Sequence, residues 1–89
     1  MASDLGMRRR RALWRATHRG SKEMDFLLGR FAEQALDGMN AAEITVFECL
    51  IDTPDPVIES CVLEGYSVDE PALDELIDRL RRFHGLTTG

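Results

Sequence analysis

A chain of 89 residues with 44% apolar content builds one domain around a single core, and at this length folding hides only about 60–65% of the unfolded surface, which leaves little room for an enclosed substrate pocket. The formal net charge of −5 conceals a polarity, because residues 1–22 sum to +6 and the remainder to −11. No run approaches the roughly 18 consecutive apolar residues of a membrane span, and no apolar stretch follows the N-terminal arginines, so a soluble protein of the cell interior is expected.

Residues 1–7 are expected to be disordered, residues 8–85 to form the helical domain and 86–89 to be a tail. A short first helix is predicted near 8–18, with Leu13 and Trp14 among arginines, and Trp14 is assigned to the core. Arg8 to Arg11 read as a solvated or frayed helix end that could also steer an acidic partner. The Arg-rich start mimics a mitochondrial presequence, but it runs directly into the next element and is read as part of the fold. The helix should end before Gly20, where Arg19, Gly20 and Glu23 form an Arg-Gly-x-x-Glu motif. A glycine at such a break takes positive φ or admits a neighbouring backbone, and the helix that follows can hold Glu23 outward. These are attributes of a contact point rather than of a catalytic centre.

Met24, Leu27, Leu28, Phe31, Ala35 and Leu36 then form a continuous stripe with a period near 3.6, the strongest helical signal in the chain. Ser21 is the expected N-cap, Glu23 and Asp25 suit the positive end of the helix dipole, and Gly38 marks a stop. Asn40 with Glu43 resembles a capping box opening a third helix, whose inner face is Ile44, Phe47, Leu50 and Ile51. Asp52 to Pro56 should end it. Asp55 and Pro56 fit the N-cap and first position of a fourth helix over about 56–64, closed by Gly65. Ser67 or Asp69 is expected to cap a fifth helix from about Pro71, with Leu73, Leu76, Ile77, Leu80 and Phe83 inward and Gly85 ending it. No alternation rich in Val, Ile and Thr predicts a strand. The fold class is therefore all-α, a compact five-helix bundle in a single domain with short loops.

Cys49 and Cys61 are twelve apart, without a Cys-x-x-Cys pattern, and read as two small buried hydrophobes. Their spacing with His18 and His84 does not suit zinc, and no metal site is assigned. Neither histidine has a partner at catalytic spacing. No phosphate loop, Ser/His/Asp set or dinucleotide-binding glycine pattern occurs, so no enzyme and no stably bound cofactor are expected.

The order of parts resembles a known family: an aromatic, Arg-rich first helix, then Arg-Gly-x-x-Glu-x-Asp-x-x-Leu-x-x-Phe, an Asp-Pro turn, a short helix and a final leucine-rich helix. The chain is similar over about residues 8–84 to the succinate dehydrogenase assembly factors, or SdhE-type flavinators. Arg19, Gly20, Glu23, Asp25, Leu28 and Phe31 stand at the motif positions, with Trp14, Arg15 and His18 agreeing upstream. It departs in the fourth helix, where many members carry Leu-Tyr/Phe-x-Trp-Leu and this chain has Ile58, Glu59, Ser60, Cys61 and Val62. Ser21 also replaces the commoner methionine.

The resemblance implies a five-helix bundle that binds the flavoprotein subunit of succinate dehydrogenase or fumarate reductase and promotes covalent attachment of FAD to a histidine there. It implies partner contacts at Arg19, Gly20 and Glu23, and Asp25, Arg15 and His18 are added as their neighbours. In this reading Glu23 orients the histidine or nearby basic groups, Arg19 pairs with a partner carboxylate, and Gly20 permits close backbone approach. The chain would act in the bacterial cytoplasm, or in the mitochondrial matrix if eukaryotic, and be a monomer when free. The alternative is a small antitoxin-like or nucleic-acid-binding regulator using the basic first helix, against which the −11 body argues through repulsion of phosphate.

Overall fold

Apolar residues at helical spacing, cut by glycine, proline and capping side chains, divide the chain into five helices. The computed structural model of the protein describes residues 2–86: α1 spans Ala2–Thr17, α2 Lys22–Ala35, α3 Ala41–Ile51, α4 Asp55–Glu64 and α5 Pro71–Phe83, with a 3₁₀ turn at Leu36–Gly38. No strand occurs among the described residues. Helix α1 packs on α2 and α3, and α5 packs on α2, α3 and α4. The bundle measures 38 × 27 × 21 Å.

The stripe expected on α2 is the centre of the core. Met24, Leu28 and Phe31 are buried together with Ile44, Phe47 and Leu50 of α3, Ile58 and Val62 of α4, and Leu80 of α5. The Phe31 ring lies 6.3 Å from that of Phe47 and meets Phe83 edge-on at 5.6 Å. Each such large side chain contributes about 1.5–3 kcal/mol relative to exposure. The α1–α2 contact is closer still. Ala12 and Ala16 face it, and a Cβ placed on Gly29 would lie 2.9 Å from the Thr17 methyl, so this glycine permits the approach of the two helices.

Local capping follows the sequence at two helices. The Ser21 hydroxyl accepts from the Met24 N–H, and Asn40 and Glu43 form the reciprocal capping box. Gly65 closes α4 in the left-handed conformation at φ 80°. The C-terminal ends of α2, α3 and α4 are met by side chains from distant elements. None of α2, α3 and α4 has a basic residue in its own last turn, and their terminal carbonyls are met by arginines from other elements. Arg9 of α1 donates to Leu36 O and Met39 O beyond α2, Arg19 to Ile51 O and Thr53 O beyond α3, and Arg81 of α5 to Val62 O of α4.

Several expectations need correction. Helix α1 starts at Ala2 rather than near residue 8, and Leu5 packs against the core, so residues 2–7 are not a disordered leader. Leu86 also packs on the core and its N–H reaches Arg81 O; the rest of the expected tail, like Met1, lies outside the described residues. Arg8 and Arg9 are not a solvated end, since Arg8 pairs with Glu48 at 2.8 Å and Arg9 caps carbonyls. Pro54, not Asp55, is the N-cap of α4, because the φ of Pro54 is already fixed in the extended entry and Asp55 begins the turn. Glu70 precedes α5 with no side-chain cap, while Ser67 binds Asp74. Phe83 is partly exposed and Trp14 is 61% exposed, against their assignment to the core. Of the cysteines only Cys61 is buried, and burial pushes its thiol up; Cys49 is exposed.

Candidate functional site

The α1–α2 turn lies against the α3–α4 turn, and their junction carries Arg19, Gly20, Glu23 and Asp25 of the motif, while its Leu28 and Phe31 belong to the core. Gly20 makes the turn possible at φ 103°, a conformation that penalises any side chain, although open space surrounds the position where a Cβ would stand. The main-chain N–H of Arg19 donates to Asp25 Oδ1 at 2.5 Å, which ties the turn to the first turn of α2.

The Arg19 side chain points inward and is only 11% exposed. Its guanidinium donates to Ile51 O at 2.5 Å, to Thr53 O at 3.1 Å and, through Nε and Nη2, to Asp55 Oδ1 at 3.0 and 2.6 Å. This planar fork occupies three acceptors at once, a task a lysine could not perform. Arg19 and Asp25 therefore assemble the surface from beneath. Arg15 pairs with Asp52 at 2.5 Å in a more exposed bridge.

What the junction presents outward is Gly20, Glu23, His18 and Trp14. The His18 and Trp14 rings stack with centroids 4.3 Å apart and planes 10° from parallel, and His18 Nδ1 lies 2.8 Å from Trp14 O. Glu23 projects from the first turn of α2 and meets Glu59 of α4. Their carboxyl groups are within hydrogen-bonding reach, and this contact, followed by the charges of Glu23, Asp55 and Glu64, pushes the Glu59 carboxyl above the usual range. Two carboxylates so placed repel unless a proton or a cation lies between them.

Sequence reasoning identified one side of this junction and missed the other. Asp55 was read as a cap and Glu59 as a departure in the fourth helix, whereas the fold makes Asp55 the anchor of Arg19 and Glu59 the neighbour of Glu23. The Asp-Pro turn was the available signal for Asp55; nothing local marked Glu59. On α1, Arg8, Arg9 and Arg15 are bound within the fold, which depletes the basic surface that nucleic-acid binding would use. No group of acidic, histidine or cysteine side chains suited to a metal ion occurs among the described residues. None of their helices is long and apolar enough to cross a membrane.

Comparison with known proteins agrees with the motif. The family model described as flavinator of succinate dehydrogenase matches residues 10–84. The chain is 35% identical over 77 residues to the FAD assembly factor SdhE of Acetobacter pasteurianus, covering 86% of this chain and 71% of the relative. It is 33% identical over 65 residues to the mitochondrial succinate dehydrogenase assembly factor 2 of Debaryomyces hansenii, covering 73% of this chain and 46% of that protein. No solved structure gives a significant match. With the family model spanning residues 10–84 and Arg19, Gly20, Glu23 and Asp25 gathered at one junction, the chain belongs to the family of succinate dehydrogenase flavinators.

Proposed function

We propose that the protein is an assembly factor that binds the flavoprotein subunit of succinate dehydrogenase, or of fumarate reductase, through the surface carrying Gly20 and Glu23, and promotes covalent attachment of FAD there. The observation that carries this reading is the placement of Glu23. It is exposed in the first turn of α2, beside a second carboxylate that makes a positively charged or proton-donating partner group favourable.

Attachment needs a neutral histidine nitrogen of the flavoprotein held at near-attack distance from an electrophilic methyl carbon of the flavin. The helper's part is to fix the partner's mobile segments in that geometry. Glu23 and Glu59 orient a basic or imidazole group of the subunit, Gly20 lets its backbone approach, and His18 stacked on Trp14 supplies a flat rim. Arg19 and Asp25 keep the turn in shape, so their contribution is positional. FAD stays with the flavoprotein; this chain contributes neither a nucleophile nor a flavin cradle of its own. The setting is the bacterial cytoplasm, or the mitochondrial matrix in a eukaryote.

The test is in-gel flavin fluorescence of the denatured flavoprotein from cells lacking the gene, complemented with wild type or Glu23→Ala. Wild type is expected to restore fluorescence and the variant to leave most of it missing. Undiminished fluorescence in the deletion strain overturns the reading.

A further inference from the structure

The outer face of α4 has no account in the helix bundle or in the motif surface. An amphipathic helix at the edge of a bundle normally turns polar residues to water, yet α4 exposes Val57 (42%) and Leu63 (45%), and Tyr66 just beyond it is 62% exposed. Pro56, Val57 and Ser60 of α4 face Tyr66 and Val68 of the following loop across an open groove of about 570 Å³. The groove has a largely apolar lining and lies in an acidic part of the sequence. Between Arg30 and Arg79 the chain has thirteen acidic residues and no lysine or arginine. Glu59 and Glu64 neighbour its lining residues in the sequence of α4, Asp69 and Glu70 follow its loop wall, and Arg81 lies with Cys61, Tyr66 and Ser67 around the adjoining cavity.

We propose that the groove between α4 and residues 66–68 is a second docking surface, which takes a basic segment of the flavoprotein subunit anchored by one large apolar side chain. This rests on the functional reading above and extends the contact beyond the motif. Charge complementarity selects the occupant, since a largely apolar cleft set in a stretch with thirteen acidic residues and no lysine or arginine favours a cationic segment and repels an acidic one. Proximity along α4 supports the same partner, because Glu59, which meets Glu23, is the sequence neighbour of Ser60 in the groove lining. A second copy of this chain fits less well. The basic helix it would offer has Arg8, Arg9 and Arg15 already bound within its own fold.

The experiment measures the dissociation constant of the purified full chain for the purified succinate dehydrogenase flavoprotein subunit, at low and at physiological salt. Four proteins are compared: wild type, Glu23→Ala, Val57→Ala/Tyr66→Ala and Glu64→Lys/Glu70→Lys. The groove substitutions are all at exposed positions, so the thermal midpoint of each variant is expected to match wild type. Both groove variants should weaken binding about tenfold or more, as loss of a central apolar anchor or reversal of two rim charges does. The charge variant should also lose most of the salt dependence. Groove variants that bind like wild type, while Glu23→Ala is impaired, overturn this inference and leave the proposed function standing. Absence of any wild-type binding overturns both. A self-associated form in sedimentation that the groove variants dissolve, with flavoprotein affinity unchanged, overturns the choice of occupant.

Discussion

At the scale of single residues, the pairing of Glu23 with Glu59 sets two like charges side by side in the free protein. Two carboxylates in contact repel, and accordingly Glu59 has its affinity for protons raised in the folded chain. A folded-state value above the unfolded one means that the fold binds the extra proton. Stability is therefore lost as pH rises through the folded value, and the penalty is present in full at neutral pH. Glu59→Gln removes one of the two charges. Its thermal midpoint should exceed that of wild type at pH 7 and converge with it below about pH 4, where both proteins carry neutral side chains. A midpoint at or below wild type at pH 7 would show that the two carboxylates do not repel in the free protein. The same residues mark how far the sequence was legible. The positive-φ glycine and the exposed glutamate were readable because backbone conformation and helix-dipole preference are local. The inward turn of Arg19 was not, because its acceptors, Ile51 O, Thr53 O and Asp55, lie more than thirty positions away and become a pocket only when α3 and α4 meet.

At the scale of elements, sequence reading found the caps that act within one turn and the helix ends at Asp52 and Gly65, and missed the start of α1 and the side chains that reach helix ends from other elements. Ser21 and the Asn40–Glu43 box act within one turn. Arg9, Arg19 and Arg81 close helices they do not belong to, and of the four arginines read as a frayed end Arg9 is one of these tertiary caps and Arg8 an ion-pair partner of Glu48, while Arg10 and Arg11 are exposed as expected. Gly29 was similarly silent, since a glycine in mid-helix reads only as a loss of about 1 kcal/mol against alanine. Its reason is the Thr17 methyl opposite. Gly29→Ala gains helix propensity but sets a Cβ 2.9 Å from that methyl, with the next neighbours at 3.5 and 3.6 Å. The contact should prevail, and the single variant should be less stable by about 1 kcal/mol. Thr17→Ser removes the methyl and keeps the hydroxyl that donates to Leu13 O. In that background Gly29→Ala should be neutral or stabilising, so denaturant titrations of the four proteins should give a favourable coupling energy on the order of 1 kcal/mol. Additive effects would mean that the α1–α2 spacing does not depend on this pair.

For the whole molecule the deciding property is the separation of charge, with most basic residues on α1 and the turn after it and a continuous acidic stretch through α3, α4 and the start of α5. The close pairs Arg8–Glu48, Arg19–Asp55 and Arg15–Asp52 join the two regions. Hydrogen bonding to Arg8 holds the Glu48 carboxyl below its usual range. The first two of these pairs are partly buried and are screened only weakly by salt, whereas repulsion among the exposed acids acts through solvent and is screened strongly. Raising the ionic strength from about 0.01 M to 0.15 M shortens the Debye length from about 30 to about 8 Å, which removes more repulsion than attraction. The thermal midpoint of the free protein should therefore rise by a few degrees over that range. Affinity for a basic partner segment should fall over the same range, because there the screened term is the attraction between molecules. Opposite signs from one change of solvent test the charge distribution as a whole. If added salt lowered the midpoint, the short ion pairs between α1 and the acidic helices, rather than the repulsion within those helices, would be the dominant electrostatic contribution to the fold.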